Sequence, residues 1–114
     1  MEIVIKPQSA KQKGRLFQQC VRDLLLKYAP QLHPDDVRST SMGNSGEDIQ
    51  LSPAARNVYP FQIECKSRNK MAVYADYKQA ESHGKYQPIV VIKQNHSKPL
   101  VVDAEWFFKE WNEG

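Results

Sequence analysis

The segment Ile89-Val90-Val91-Ile92 sets the strongest limit on the fold. Four consecutive branched apolar residues leave no face for water, so they read as a central strand of a sheet covered on both sides. Helices must supply that cover. From Ser9 to about Ala29, Leu16, Phe17, Cys20, Val21, Leu24, Leu25 and Tyr28 recur at the i, i+1, i+4 spacing of one broad stripe. Ser9 is placed to cap this helix and Pro30 stops it. Met71 to His83 is expected to form a second helix with Gly84 as its C-cap, and Asp103 caps a third that carries Trp106, Phe107 and Trp111. The three aromatic residues suit a core or a dimer interface.

Between the helices, His33 to Asp36 reads as a turn and Val37 to Ser41 as a short strand. Asp48 to Leu51 alternates like a strand, and residues 52–58 form a hairpin-like connection to Tyr59–Arg68, the best-patterned strand of the chain. Pro99 to Val102 supplies another short strand. The order is helix, two or three antiparallel strands, helix, strand, strand, helix, which indicates an α/β fold with a mixed central β-sheet flanked by helices. A chain of 114 residues is expected to be one domain, 1–114, able to bury a core without disulfide or metal staples.

The net charge of +3 leans weakly towards anionic partners, and the placement of the charges says more. Lys6, Lys11, Lys13 and Arg15 crowd the start of the chain, and Lys66, Arg68 and Lys70 crowd the end of the fourth candidate element. Two separate basic clusters suit a nucleic-acid footprint, with a solvated lysine-rich surface as the alternative. Cys20 and Cys65 both fall on apolar faces, as buried free thiols of a reducing compartment would. There is no CxxC pair, and His33, His83 and His96 are too scattered for a structural zinc site. His83 suits a cation at a helix end, and Asn95-His96 lacks the rest of any HNH constellation. No apolar stretch is long enough to span a membrane, and residues 1–10 lack the apolar run of a signal peptide. A cytoplasmic protein is expected.

In FQIECKSRNK, residues 61–70, Phe61, Ile63 and Cys65 alternate with Gln62, Glu64, Lys66 and Arg68. Taken alone, Glu64 and Lys66 would be a strand-face ion pair of under ~1 kcal/mol. Asp48 changes that reading. It starts the preceding strand behind the loop Gly43-Asn44-Ser45-Gly46, and hairpin pairing can bring it beside Glu64. Two converging carboxylates repel unless a cation lies between them. Hard oxygen ligands with open water positions suit Mg²⁺ or Mn²⁺. With a lysine on the same face, the parts for phosphodiester hydrolysis are present.

Asp48 followed by Glu64-Cys65-Lys66 resembles the signature of the PD-(D/E)xK nucleases, an acid and then, ten to thirty residues on, E-x-K. Within that superfamily the chain is most similar to the small Holliday-junction-resolvase-like endonucleases of phage and archaeal type. Lys13-Gly14 at the start of the first helix, Ser41-Met42-Gly43 before the acid and Gln79 in the later helix extend the likeness, which covers about Lys11 to Ile92. The resemblance implies a three-layer restriction-endonuclease-like core. It also implies a metal-dependent endodeoxyribonuclease with Mg²⁺ or Mn²⁺ held by Asp48, Glu64 and the backbone carbonyl of Cys65. Lys66 would orient the attacking water and Gln79 would support the site. DNA, with branched DNA such as a Holliday junction the leading form, is the implied substrate, and the two cuts of junction resolution point to a homodimer. Lys11, Lys13, Arg15, Ser41, Asn44, Arg68 and Lys70 are the residues placed to grip it. One position departs from the pattern: Gln18 stands where such members carry a glutamate, and an amide oxygen would bind the metal without charge. A catalytically weak or inactive nucleic-acid-binding module on the same fold is therefore the alternative reading.

Overall fold

A strand with an apolar and a polar side folds here with helices over both. The computed structural model describes residues 10–40, 46–67, 70 and 72–113. Among these, helix α1 (Ala10–Lys27) is followed by a short 3₁₀ turn (Pro34–Asp36), strands β1 (Val37–Ser39) and β2 (Ile49–Leu51), helix α2 (Pro53–Val58), strand β3 (Phe61–Ser67), helix α3 (Val73–Glu81), strands β4 (Gln87–Lys93) and β5 (Leu100–Val102), and helix α4 (Ala104–Glu113). The strands form one mixed sheet in the order β1-β2-β3-β4-β5. β3 and β4 are parallel over seven residue pairs, from Phe61–Gln87 to Ser67–Lys93, and the remaining neighbours are antiparallel. The α/β class and the mixed sheet agree with the reading of the sequence.

The odd-numbered side chains of β3 and β4 build the core. Ile63, Cys65, Ile89 and Val91 pack with Phe17 and Val21 of α1 and with Val37, Ile49 and Ala55. Trp106 of α4 meets Phe61 on this side, edge to face, with ring centroids 5.1 Å apart. The backbone oxygens of Val37 and Pro34 accept from Arg22 of α1 at 2.7 and 3.0 Å, which fixes the helix to β1. Tyr59 does the same at the other end, its hydroxyl donating to the Leu25 carbonyl at 2.7 Å.

The opposite face is covered by α3, and Gln62 joins the two. Its Nε2 donates to the Ala80 carbonyl at 2.6 Å and reaches the Gly84 and Glu81 carbonyls at 3.2 and 3.3 Å, while its Oε1 accepts from the Tyr86 amide at 3.1 Å. A strand side chain thus adds a donor to carbonyls at the C-terminus of a helix, where the backbone supplies few. Gly84 is required by this contact, since a Cβ there would stand 2.8 Å from Gln62 Oε1.

Two local expectations need correction. Residues 52–58 are not a hairpin-like connection but contain α2, with Ser52 Oγ accepting from the Ala55 amide at 3.1 Å and Pro53 in the first turn. Ser-Pro is a helix-start signal, and its hydroxyl also donates to Asp36 at 2.7 Å. Cys20 is exposed rather than buried, whereas Cys65 is buried. The stripe that α1 buries is the narrow one through Phe17, Gln18 and Val21. Leu16, Cys20, Leu24 and Tyr28 form an adjoining row at four-residue spacing, and all four are exposed. No helix of the described residues is long and apolar enough to cross a membrane.

Candidate active site

The carboxylate of Asp48 enters the sheet just before β2 begins. β2 and β3 pair at Ile49–Ile63, and one step further back the Asp48 amide donates to the Ile63 carbonyl at 3.1 Å. At the next step the Asp48 side chain takes the place of a backbone partner: Oδ2 accepts from the Cys65 amide at 2.7 Å. Its backbone is held as well, because the Thr40 amide donates to the Asp48 carbonyl at 2.8 Å. Glu47 faces elsewhere, in a two-pronged ion pair with Arg56, both contacts at 3.1 Å. The same guanidinium donates to the Phe61 carbonyl and stacks over the Tyr86 ring at 4.3 Å. The segment that carries Asp48 is thereby pinned to α2, to the start of β3 and to the approach to β4.

Glu64 lies on the α3 face of β3 and is only 1 % exposed, as is Gln62. Lys66 Nζ stands 3.4 Å from Glu64 Oε2, and His83 Nε2, just beyond the end of α3, stands 3.3 Å from Oε1. The contact with His83 lacks hydrogen-bond alignment, so Glu64 Oε1 and His83 Nε2 are both buried without a hydrogen bond. Burial, and then the neighbouring Asp48, push the Glu64 carboxyl above its usual range despite Lys66 and His83. Burial likewise raises Asp48, against the opposing pull of the Cys65 amide and Lys66. Both acids therefore pay for desolvation with their charged forms disfavoured. The Cys65 thiol is pushed well up by burial, then by Asp48 and Glu64, which makes it inert as a nucleophile.

Gln18 faces the interior from α1, 6 % exposed, and its Oε1 also has no hydrogen bond. Glu64 Oε1, a hard oxygen beside a second acid, has the unmet demand that a cation would satisfy. Among the described residues, however, no three His, Cys, Asp or Glu side chains converge as a metal cluster. The donors present fit an ion that takes one or two carboxylates and completes its shell with water or substrate oxygens, as Mg²⁺ does. They do not fit a closed four-ligand zinc site.

The other expected residues are dispersed. Gln79 is exposed on α3, between Asp76 and Ala80, which are buried. Lys11 and Arg15 are exposed on the first turns of α1, Lys13 is half-buried there, and Lys70 is exposed beyond β3. Ser41, Asn44 and Arg68 lie outside the described residues. His83 was missed as a neighbour of Glu64, although its spacing gave a signal: Asp76, Ala80 and His83 fall on one helical face at i, i+4, i+7. Comparison of the chain with protein-family models, with curated proteins and with solved structures gives no match.

Proposed function

We propose that this chain is a divalent-metal-dependent DNA endonuclease with a PD-(D/E)xK-type site on a restriction-endonuclease-like core. The observation that carries the reading is the neighbouring pair of acids, half-buried Asp48 and buried Glu64, with Lys66 Nζ 3.4 Å from Glu64 on the same strand face. Asp48, Glu64 and the Cys65 carbonyl would hold Mg²⁺ or Mn²⁺, which when bound supplies Lewis acidity at phosphorus and lowers the pKa of a coordinated water. Lys66 would hold and orient the attacking water. The Cys65 amide fixes the rotamer of Asp48, and Arg56, through Glu47, fixes the backbone behind it. Gln18 would accept from a water at the edge of the site, and Gln79 would act only if substrate reached it, because its side chain is exposed. Junction-like DNA and a homodimer belong to this proposal through the resemblance alone.

Incubation of the protein with branched and linear DNA in Mg²⁺ or Mn²⁺ tests it. Cleavage is expected from the native chain and none from Glu64→Ala or Lys66→Ala; cleavage that survives both substitutions would sink the assignment.

A second reading has support of its own. Glu64 is already flanked by two basic side chains, and an uncharged Gln18 stands at the interior position of α1. Both favour a nucleic-acid-binding module that no longer cuts. It predicts salt-sensitive binding with no cut strand in either metal.

A further inference from the structure

A cleft of about 400 Å³ lies on the α1 side of the sheet, away from Glu64 and Lys66. It opens where the parallel strands β3 and β4 end, at the paired residues Ser67 and Lys93. Open α/β sheets place their ligands at the carboxyl ends of strands. Lys13 of α1 and Lys93 of β4 flank the cleft, both half-buried, and among the described residues no acidic side chain lines it. Neither lysine forms an ion pair with a carboxylate among the described residues. Leu16 contributes an apolar wall, and Asn95 and His96 close the far side.

His96 is held at φ 62°, the one positive φ among the described non-glycine residues. It sits in a turn closed by the Ser97 amide donating to the Gln94 carbonyl at 3.1 Å. Glycine is the residue that meets such a φ without penalty, so an imidazole kept there points to a use for it. Two lysines with no carboxylate partner among the described residues, a hydroxyl, an amide and an imidazole line a cleft with one apolar wall. That set recognises a phosphate oxyanion attached to a sugar or base.

We propose that this cleft binds a backbone phosphate of a nucleic-acid strand, with Lys93 and His96 as its principal contacts. The choice of nucleic acid rests on the nuclease reading above. Ser67 follows Lys66 in β3 but points to the opposite face, so a strand crossing this end of the sheet meets the cleft and the carboxylates on either side of one β-strand.

The test uses the full chain in EDTA, so that binding is measured apart from any cleavage. Amide shifts and fluorescence anisotropy follow a short single-stranded oligodeoxynucleotide, with inorganic phosphate and AMP in parallel. The oligonucleotide is expected to shift the amides of Ser67, Lys93, Asn95 and His96. Lys93→Ala should weaken it about fivefold or more and lower the slope of log K against log salt by about 0.7, one phosphate's worth. His96→Gly should keep the native thermal midpoint and still lose affinity, which a merely structural role would not produce. Lys85→Ala removes the same charge from an exposed site remote from the cleft and should have a smaller effect. A loss from Lys85→Ala equal to that from Lys93→Ala overturns the proposal, as does the absence of shifts at the cleft amides. Equal affinity for phosphate or AMP overturns the assignment to a strand. Binding at the cleft with no cleavage in metal would uphold this site while removing the nuclease reading.

Discussion

Gln62→Leu is the substitution whose cost the structure fixes most closely. The side chain is 1 % exposed and makes two well-formed hydrogen bonds, to the Ala80 carbonyl at 2.6 Å and from the Tyr86 amide at 3.1 Å. Leucine fills a similar volume but leaves the Tyr86 amide without a bond and the Ala80 carbonyl with only its backbone contact from His83 at 3.3 Å. The orphaned amide costs about 1–3 kcal/mol and the lost bond to Ala80 about 1 kcal/mol more. The longer contacts to Glu81 and Gly84, at 3.3 and 3.2 Å, add little more. Against a gross loss of about 2–4 kcal/mol, the extra apolar burial of leucine returns about 1 kcal/mol, which leaves a net destabilisation of about 1–3 kcal/mol. For a small domain that is about a fifth of the total stability. Urea unfolding followed by tryptophan fluorescence reads it as a lower midpoint at unchanged m. Gln62→Glu keeps the acceptor but aims a carboxylate at the Ala80 carbonyl, and should be worse at neutral pH than in mild acid. A Gln62→Leu midpoint within about 0.5 kcal/mol of the native chain would refute the idea that this side chain docks α3.

Gly84→Ala should cost about 1–3 kcal/mol, because the added Cβ would stand 2.8 Å from the oxygen of a side-chain amide that four contacts hold in place; calorimetry checks it against the milder Gly46→Ala, where nothing lies within 4 Å but φ is +102°. The Tyr77 hydroxyl donates to Asp103 at 2.5 Å, and that bond, with burial, raises the phenol to about 12. Its contribution is fully present below the unfolded value of about 10 and is lost as pH rises towards 12, so the stability gap between native protein and Tyr77→Phe should close over that window. Asp103 is lowered despite burial, by Tyr77, the Trp106 amide and Gln87, so its share is present above the usual aspartate range and is lost as pH falls through its folded value. Gln18→Glu should tighten Mn²⁺ binding and steepen the metal-dependent rise in thermal midpoint, and an unchanged titration would show that Gln18 does not face the ion.

The parts of this fold that depend on local pattern were legible. α1, β3 and β4 follow from periodicity and from the IVVI run, and Asp48 beside Glu64 follows from two strands joined by a short segment. What escaped depends on which neighbour covers a surface. Cys20 belongs to an apolar row of α1 that the described residues leave exposed, and a sequence pattern cannot show that a stripe is wider than its cover. His83 reads as a surface histidine until α3 is laid across β3, which brings it to Glu64. The α2 helix was legible and missed: its Ser-Pro start is a local signal that an expected hairpin overrode.

Gln62 and Glu64 show how a structural and a functional polar residue differ. They share one strand face and the same near-complete burial, and sequence pattern treats them alike. Gln62 has every polar atom bonded, as a residue kept for stability must. Glu64 keeps an oxygen without a hydrogen bond, next to a second acid, in a place where burial disfavours its charge. Native folds tolerate such a group when a ligand completes it. The two residues should therefore respond to neutral substitution with opposite signs. Glu64→Gln removes the charge that burial and Asp48 both oppose, at the cost of the Lys66 and His83 contacts, so the metal-free protein should hold or gain stability. Added Mn²⁺ should raise the thermal midpoint of the native chain and leave that of Glu64→Gln nearly unmoved. A metal-free Glu64→Gln as unstable as Gln62→Leu would mean that Glu64 is held for the fold, and the case for a site here would lose its main support.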